Sequence, residues 1–390
     1  MTHSTRRAPT RTLLTTSLVV GLAVATAGCS SGTAPGDPSA TARPHGFVEG
    51  ASESREPQLR LLAVSGTGET ALHDLLSSES TTLDDVDVPT HSATDGRFLV
   101  TSSDSRTTIV DGGAWTVDHG DHTHYSAAEP RVVGTMAEGG PVEVHSSEAT
   151  TTITWPERDE AVVLDRAALG QGTVEERTRI DARVLLPDGD RLVAATDDVV
   201  RVLDADGSPT GTEAACTDPA GGIVTRAGSV VGCSDGAVVV DDDGATAVPL
   251  PGGAERPTSF AARAGRPTVA GLVGDAGFWL LDSREHSWRL VPTERPLRAV
   301  AAVDDADEHV GGVDDTGRVV VHTLATGAIV ATDPLVADDA PPLLQLDANR
   351  AYLADRGTGT VHEIDFADGA RVARTIDLGV APAAFAEVGL

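Results

Sequence analysis

Asp118-His119-Gly120-Asp121-His122-Thr123-His124 gathers three histidines and two aspartates into seven residues. Imidazole nitrogens and carboxylates are natural ligands of Zn2+, at about 2.0–2.2 Å and usually four in number. His122 and His124 stand two apart, so an extended backbone puts both on one side. Gly120 permits the turn that brings His119 round to them. Asp118 and Asp121 are expected either to join the ligands or to orient a histidine through its second ring nitrogen. His145 follows the first strand of the next repeat and joins the set if it faces a central channel. The plainer readings are a solvated polar loop for the cluster and a hydrogen-bonded strand histidine for His145. His45, within a mobile tether, is a further capture ligand in principle. His73, His91, His286, His309, His322 and His362 are scattered, as structural or surface histidines are. No ordered nucleophile–base set accompanies the cluster, and among 59 acidic residues any chosen carboxylate pair is arbitrary. The chain is therefore read as a non-enzyme.

The residues around the cluster must place it. Beyond Pro57 there is no long stretch of helical period. Short apolar runs such as Leu59-Arg60-Leu61-Leu62-Ala63-Val64 and Gly317-Arg318-Val319-Val320-Val321 alternate with turn dipeptides, among them Asp95-Gly96, Asp188-Gly189 and Asp368-Gly369. That is an all-β signature. The runs group into units beginning near Thr90, Gly140, Ala182, Pro219, Arg256, Pro296 and Pro341. Each unit has the length of one four-stranded propeller blade. Their third strands are expected at Ile109-Val110-Asp111, Val163-Leu164-Asp165, Val202-Leu203-Asp204, Val239-Val240-Asp241, Leu280-Leu281-Asp282, Val320-Val321-His322 and Glu363-Ile364-Asp365. An eighth unit needs both chain ends: residues 59–88 offer three strands, and residues 382–388 supply the innermost. Pairing them removes two open sheet edges. A single β-propeller of eight blades is expected, with seven as the alternative. A β-sandwich chain of this length needs two or more domains, and no linker interrupts residues 56–390. The histidine run falls between the third and fourth strands of one unit and is expected to be a loop.

Composition narrows the function. All 29 basic residues are arginine, and the formal net charge is −30. Without lysine there is no P-loop and no Schiff-base chemistry. Such a surface does not seek nucleic acid or anionic headgroups and attracts cations. The first residues carry Arg6, Arg7 and Arg11, then an uncharged stretch over 13–28 that is too short to span a bilayer, then Thr26-Ala27-Gly28-Cys29. This order resembles a bacterial lipoprotein leader with Cys29 as the lipidated residue. A signal peptide over 1–28, a flexible tether over 29–55 and a propeller over 56–390 are expected. The protein would then be exported and anchored to the outer face of the cell membrane through lipid alone. Cys216 and Cys233 remain as a pair in an oxidising setting. The expectation is a disulfide between neighbouring strands, closing a loop worth about 3 kcal/mol. A two-cysteine zinc site ranks below it.

The chain resembles the secreted zinc metallochaperone family AztD. The resemblance rests on Gly46-Phe47-Val48-Glu49-Gly50-Ala51 and Glu56-Pro57-Gln58-Leu59-Arg60-Leu61. It rests further on Val110-Asp111-Gly112-Gly113-Ala114-Trp115-Thr116-Val117-Asp118-His119-Gly120-Asp121-His122-Thr123-His124-Tyr125, on Glu129-Pro130-Arg131, and on the Cys216/Cys233 pair. It implies a propeller that holds Zn2+ and passes it to the solute-binding protein of a zinc ABC transporter; a monomer that does not bind nucleic acid is expected. The family also leads one to expect histidines near Ile180-Asp181-Ala182-Arg183 and near Asp218-Pro219-Ala220-Gly221, and neither place has one. The alternative is a metal-free interaction propeller of the cell envelope that has lost a tight zinc site. On the zinc reading, residues 118–124 become a surface acquisition loop.

Overall fold

A computed structural model describes residues 49–119, 122–257, 259–274 and 277–390, all within the compact unit His45–Leu390. The leader, Cys29, His45, most of the tether, and Gly120 and Asp121 lie outside the described residues.

Eight antiparallel sheets follow one another along the chain, each an up-and-down meander from an inner to an outer strand. Blade 2, for example, is built from His91–Thr94, Phe98–Ser102, Thr107–Asp111 and Arg131–Met136 in that spatial order. Blades 3, 4 and 5 occupy residues 143–180, 184–215 and 222–249; blades 7 and 8 occupy 297–331 and 343–377. The expected third strands are third strands in all six of these units. Blade 6 keeps three regular strands, Thr268–Val273, Gly277–Asp282 and Ser287–Pro292, and its inner position is reduced to isolated bridges, among them Ala261 with Ala270.

Blade 1 is the closure. Pro382–Val388 pairs with Arg60–Ser65, with Leu62 opposite Ala386 and Arg60 opposite Val388, and Thr70–Asp74 and Ser80–Leu83 complete the sheet. The last strand of the chain thus sits innermost in a blade begun by the N-terminal strands. Inner strands of neighbouring blades touch from blade 8 through blade 1 to blade 5, including Pro382–Val388 against His91–Thr94.

The packing explains the sequence pattern. Each sheet is covered on both faces by its neighbours, so the middle strands read as unbroken apolar runs. Leu61, Leu62, Ala63 and Val64 are all fully buried. Phe98, Val100 and Ile109 of blade 2 form one core with Val144, Ile153, Trp155 and Leu164 of blade 3. The outermost strands have one wet face and are polar, as Ser80–Leu83 shows.

Cys216 and Cys233 are joined, with their Cα atoms 5.1 Å apart. The expected context needs correction. Cys216 lies just past the outer strand of blade 4 (Pro209–Ala215), and Cys233 ends the second strand of blade 5 (Gly228–Cys233). The bond therefore ties two blades together, inside the core that both share.

Candidate metal centre

Of the three histidines of the run, only His124 lies on a strand, and His119 and His122 keep the expected loop character at the tip of a longer element. Between the third and fourth strands of blade 2 the chain forms an extra hairpin, Ala114–Asp118 paired with Thr123–Ala127. Ser52–Ser54 adds to it as a third strand, with Glu53 opposite Ser126. That strand falls inside the stretch read as tether. The alternation Trp115-Thr116-Val117 and the aromatic and β-branched Thr123-His124-Tyr125 suit a pleated surface, a signal that the run's place between a third and a fourth strand obscures.

The base of the hairpin is rigid. Gly113 adopts φ +66°, and a Cβ there would meet the Ala128 carbonyl at 2.4 Å, so only glycine fits. The Arg97 guanidinium donates to both oxygens of Asp111, at 3.1 and 2.8 Å, and lies 3.7 Å from the centroid of Trp115. Arg60 Nη1 donates to the carbonyls of Gly112, Gly113 and Ala128. The C-terminus seals the side: Thr116 Oγ1 donates to the Gly389 carbonyl at 2.6 Å.

The tip carries the chemistry. His119, His122 and His124 each bring a ring nitrogen within 4.8 Å of the others. Ring centroids are 5.0, 5.3 and 4.9 Å apart. The His119 amide donates to the His122 carbonyl at 3.0 Å, which folds the two sides of the tip together. His122 is exposed, and the other two are half-buried. Two carboxylates absent from the sequence reading approach the outer ring nitrogens. Glu53 Oε1 is 2.7 Å from His124 Nδ1, and Glu148 Oε1 is 3.6 Å from His119 Nδ1. A carboxylate only accepts, so Nδ1 of His124 carries the proton of that contact, and the lone pair of the neutral ring is at Nε2.

Of the other expected ligands, the structure describes Asp118 and His145. The Asp118 carboxylate pairs with Arg226. Asp121 lies outside the described residues. His145 sits on the inner strand of blade 3, with Nε2 3.8 Å from Glu143 Oε2, and is not part of the cluster. Among the scattered histidines, His309 bonds Asp305 at 2.6 Å, His73 bonds Ser80 at 3.0 Å, and His322 packs edge-on to Phe278. Burial pushes the His322 imidazole below its ordinary range, which keeps it neutral.

Connectivity places the cluster. In a four-stranded meander, the first-to-second and third-to-fourth connections share one face. Glu148 and Arg226 are on first-to-second connections of blades 3 and 5, and the hairpin is a third-to-fourth connection of blade 2. The hairpin therefore reaches from blade 2 to blade 5 over one mouth of the ring. The segments at 180–183 and 218–221 link one blade to the next and lie on the opposite face. There Arg183 pairs with Asp218 at 2.9 Å and Arg256 pairs with the same carboxylate at 2.8 Å.

No protein-family model and no curated protein matches this sequence. Solved structures do. The crystal structure of AztD from Citrobacter koseri is similar with a TM-score of 0.70 at 16% identity, covering 85% of this chain and 98% of that one, and the apo form of AztD gives the same values. The dihydro-heme d1 dehydrogenase NirN follows with a TM-score of 0.57 at 14% identity, covering 85% of this chain and 75% of that one. Chaetomium thermophilum Sqt1, bound to the N-terminus of ribosomal protein L10, has a TM-score of 0.51 at 14% identity, covering 76% and 94%. At such identities the likeness establishes the propeller fold.

Proposed function

We propose that this protein captures Zn2+ with His119, His122 and His124 and passes it by ligand exchange to the solute-binding protein of a zinc ABC transporter. The convergence of three imidazole nitrogens within 4.8 Å at a hairpin tip carries this reading. Three imidazoles leave one position of a tetrahedral zinc open to water or to a ligand from outside. An exposed His122 beside two half-buried partners gives an incoming group a place to start. The −30 charge favours a cation reaching the surface. Export and lipidation at Cys29 would hold the body near the membrane where such a transporter works. The likeness to AztD supports the reading at the level of fold.

The carboxylates suit the task. A carboxylate on the far nitrogen fixes the tautomer and raises the basicity of a zinc-bound histidine. Glu53 does this for His124 at hydrogen-bond distance, and Glu148 approaches His119 more loosely.

The test is calorimetric zinc titration of the protein and of the His119→Ala, His122→Ala, His124→Ala triple variant. Submicromolar binding in the parent and its loss in the variant are expected. No binding tighter than about 1 μM, or binding that the triple variant leaves unchanged, would overturn the reading. One observation favours the metal-free interaction module instead: arginine–aspartate pairs fill the far face where the family leads one to expect histidines. That alternative predicts a protein partner bound equally well with and without zinc.

A further inference from the structure

We propose that Ser52–Ser54 is a metal-coupled clasp, in which Glu53 positions His124 and a held metal ion in turn holds the strand. This rests on the zinc reading of the histidine cluster.

The strand is attached to the hairpin in two ways. Its backbone pairs with Thr123–Ala127 through Ser52 opposite Ala127, Glu53 opposite Ser126 and Ser54 opposite Tyr125, and Ser52 Oγ donates to the Ala127 carbonyl at 3.2 Å. Its side-chain link to the site is Glu53 Oε1 to His124 Nδ1 at 2.7 Å. The register makes that contact: Ser126 is opposite Glu53, and His124, two residues along, lies on the same face. Three residues on a sheet edge, with Ser52 and Glu53 exposed, bury little apolar surface, so the strand is a low-stability element that opens on its own.

Such an element is sensitive to small added energies. With the strand docked, the Glu53 carboxylate holds the Nδ1 proton and aims the Nε2 lone pair at the cluster. With the strand detached, the ring loses that orientation. Ligand affinity then depends on whether the strand is docked, and by reciprocity docking depends on whether the ligand is bound. The chain that would lead to the membrane anchor enters the body through this strand. Peeling it away is accordingly a route to releasing metal that needs no change in the propeller.

The experiment pairs zinc titration with hydrogen exchange of the Ser52–Ser54 amides, with and without saturating zinc, in the full chain and in Glu53→Ala and Glu53→Gln. The parent is expected to bind zinc and Glu53→Ala to bind about 10- to 100-fold more weakly, the usual effect of removing a carboxylate behind a ligand histidine. Glu53→Gln, which keeps an acceptor oxygen, should recover part of the loss. Zinc should slow exchange in Ser52–Ser54 of the parent by a factor matching the Glu53→Ala loss, and leave exchange in Glu53→Ala unchanged. If the parent binds zinc while Glu53→Ala binds as tightly and exchange ignores zinc, the clasp is refuted and the zinc site stands. If the parent does not bind zinc, both fall.

Discussion

A histidine that offers one ring nitrogen to a metal needs the other one held, and the carboxylates beside the two half-buried histidines of this cluster stand at unequal distances. Glu53 is at 2.7 Å from His124, but Glu148 stands 3.6 Å from His119 with a side chain 69% exposed. At that distance and exposure the attraction is screened and weakly directional. Glu148→Gln should therefore lower zinc affinity by less than about threefold, a fraction of the 10- to 100-fold expected at Glu53. Side-by-side titration decides it; an equal loss at both positions means that His119 is oriented as strictly as His124. The three histidines were legible in the sequence because their spacing is local. Glu53, Glu148 and Arg226 were not. They reach the tip from 71, 29 and 108 residues away, and nothing local distinguishes them from other charges in a heavily charged chain.

At the scale of the element, the hairpin is clamped hard at its base and lightly at its tip. Arg97, Asp111, Trp115 and Gly113 fix the base through buried contacts, whereas the tip reaches blade 5 through Asp118 and Arg226, which are 36% and 49% exposed. Exposed pairs of this kind contribute about 0–1 kcal/mol. Asp118→Ala and Arg226→Ala should therefore act alike, each loosening the tip and lowering zinc affinity by at most about fivefold, with Tm nearly unchanged. A loss of about 100-fold on Asp118→Ala with none on Arg226→Ala would instead make Asp118 a ligand, as the sequence first indicates. The Cys216–Cys233 bond is an element of another kind, a tie between blades 4 and 5. A 17-residue separation corresponds to about 3 kcal/mol on the chain-entropy model. The Cys216→Ser, Cys233→Ser double variant should lose stability of that order in denaturant unfolding while binding zinc as the parent does, since neither cysteine is near the hairpin tip.

The whole ring was largely readable from the third strands, because a blade covered on both faces demands an unbroken apolar run ending at a polar turn, and that pattern recurs. Blade 6 shows where pattern reading falls short. Its inner position pairs through isolated bridges at Ala261, Ala262 and Gly265 instead of a ladder, and Pro257, Gly265 and Pro267 break any countable alternation there. Closure was legible from the missing inner strand of the first unit, but its chemistry was not. Glu387, on the closing strand Pro382–Val388, is fully buried, with Asp347 the group its protonated carboxyl would bond. Burial above all, then the nearby Asp347 and Glu363, holds its carboxyl well above the ordinary value of 4.5. Arginine offers no relief: Arg350 and Arg374 are engaged with Glu363. The folded state therefore keeps this proton when the unfolded chain has lost it. The group's contribution to stability is whole below about pH 4.5 and is lost as pH rises through the folded-state value. Glu387→Gln keeps the shape and removes the titration. Its Tm should fall less than that of the parent between pH 5 and 9, with a gain of about 1–3 kcal/mol at the alkaline end. Parallel Tm curves for the two proteins would mean that Glu387 is relieved by water or by strand movement, and that the seam closing the ring is looser than its burial implies.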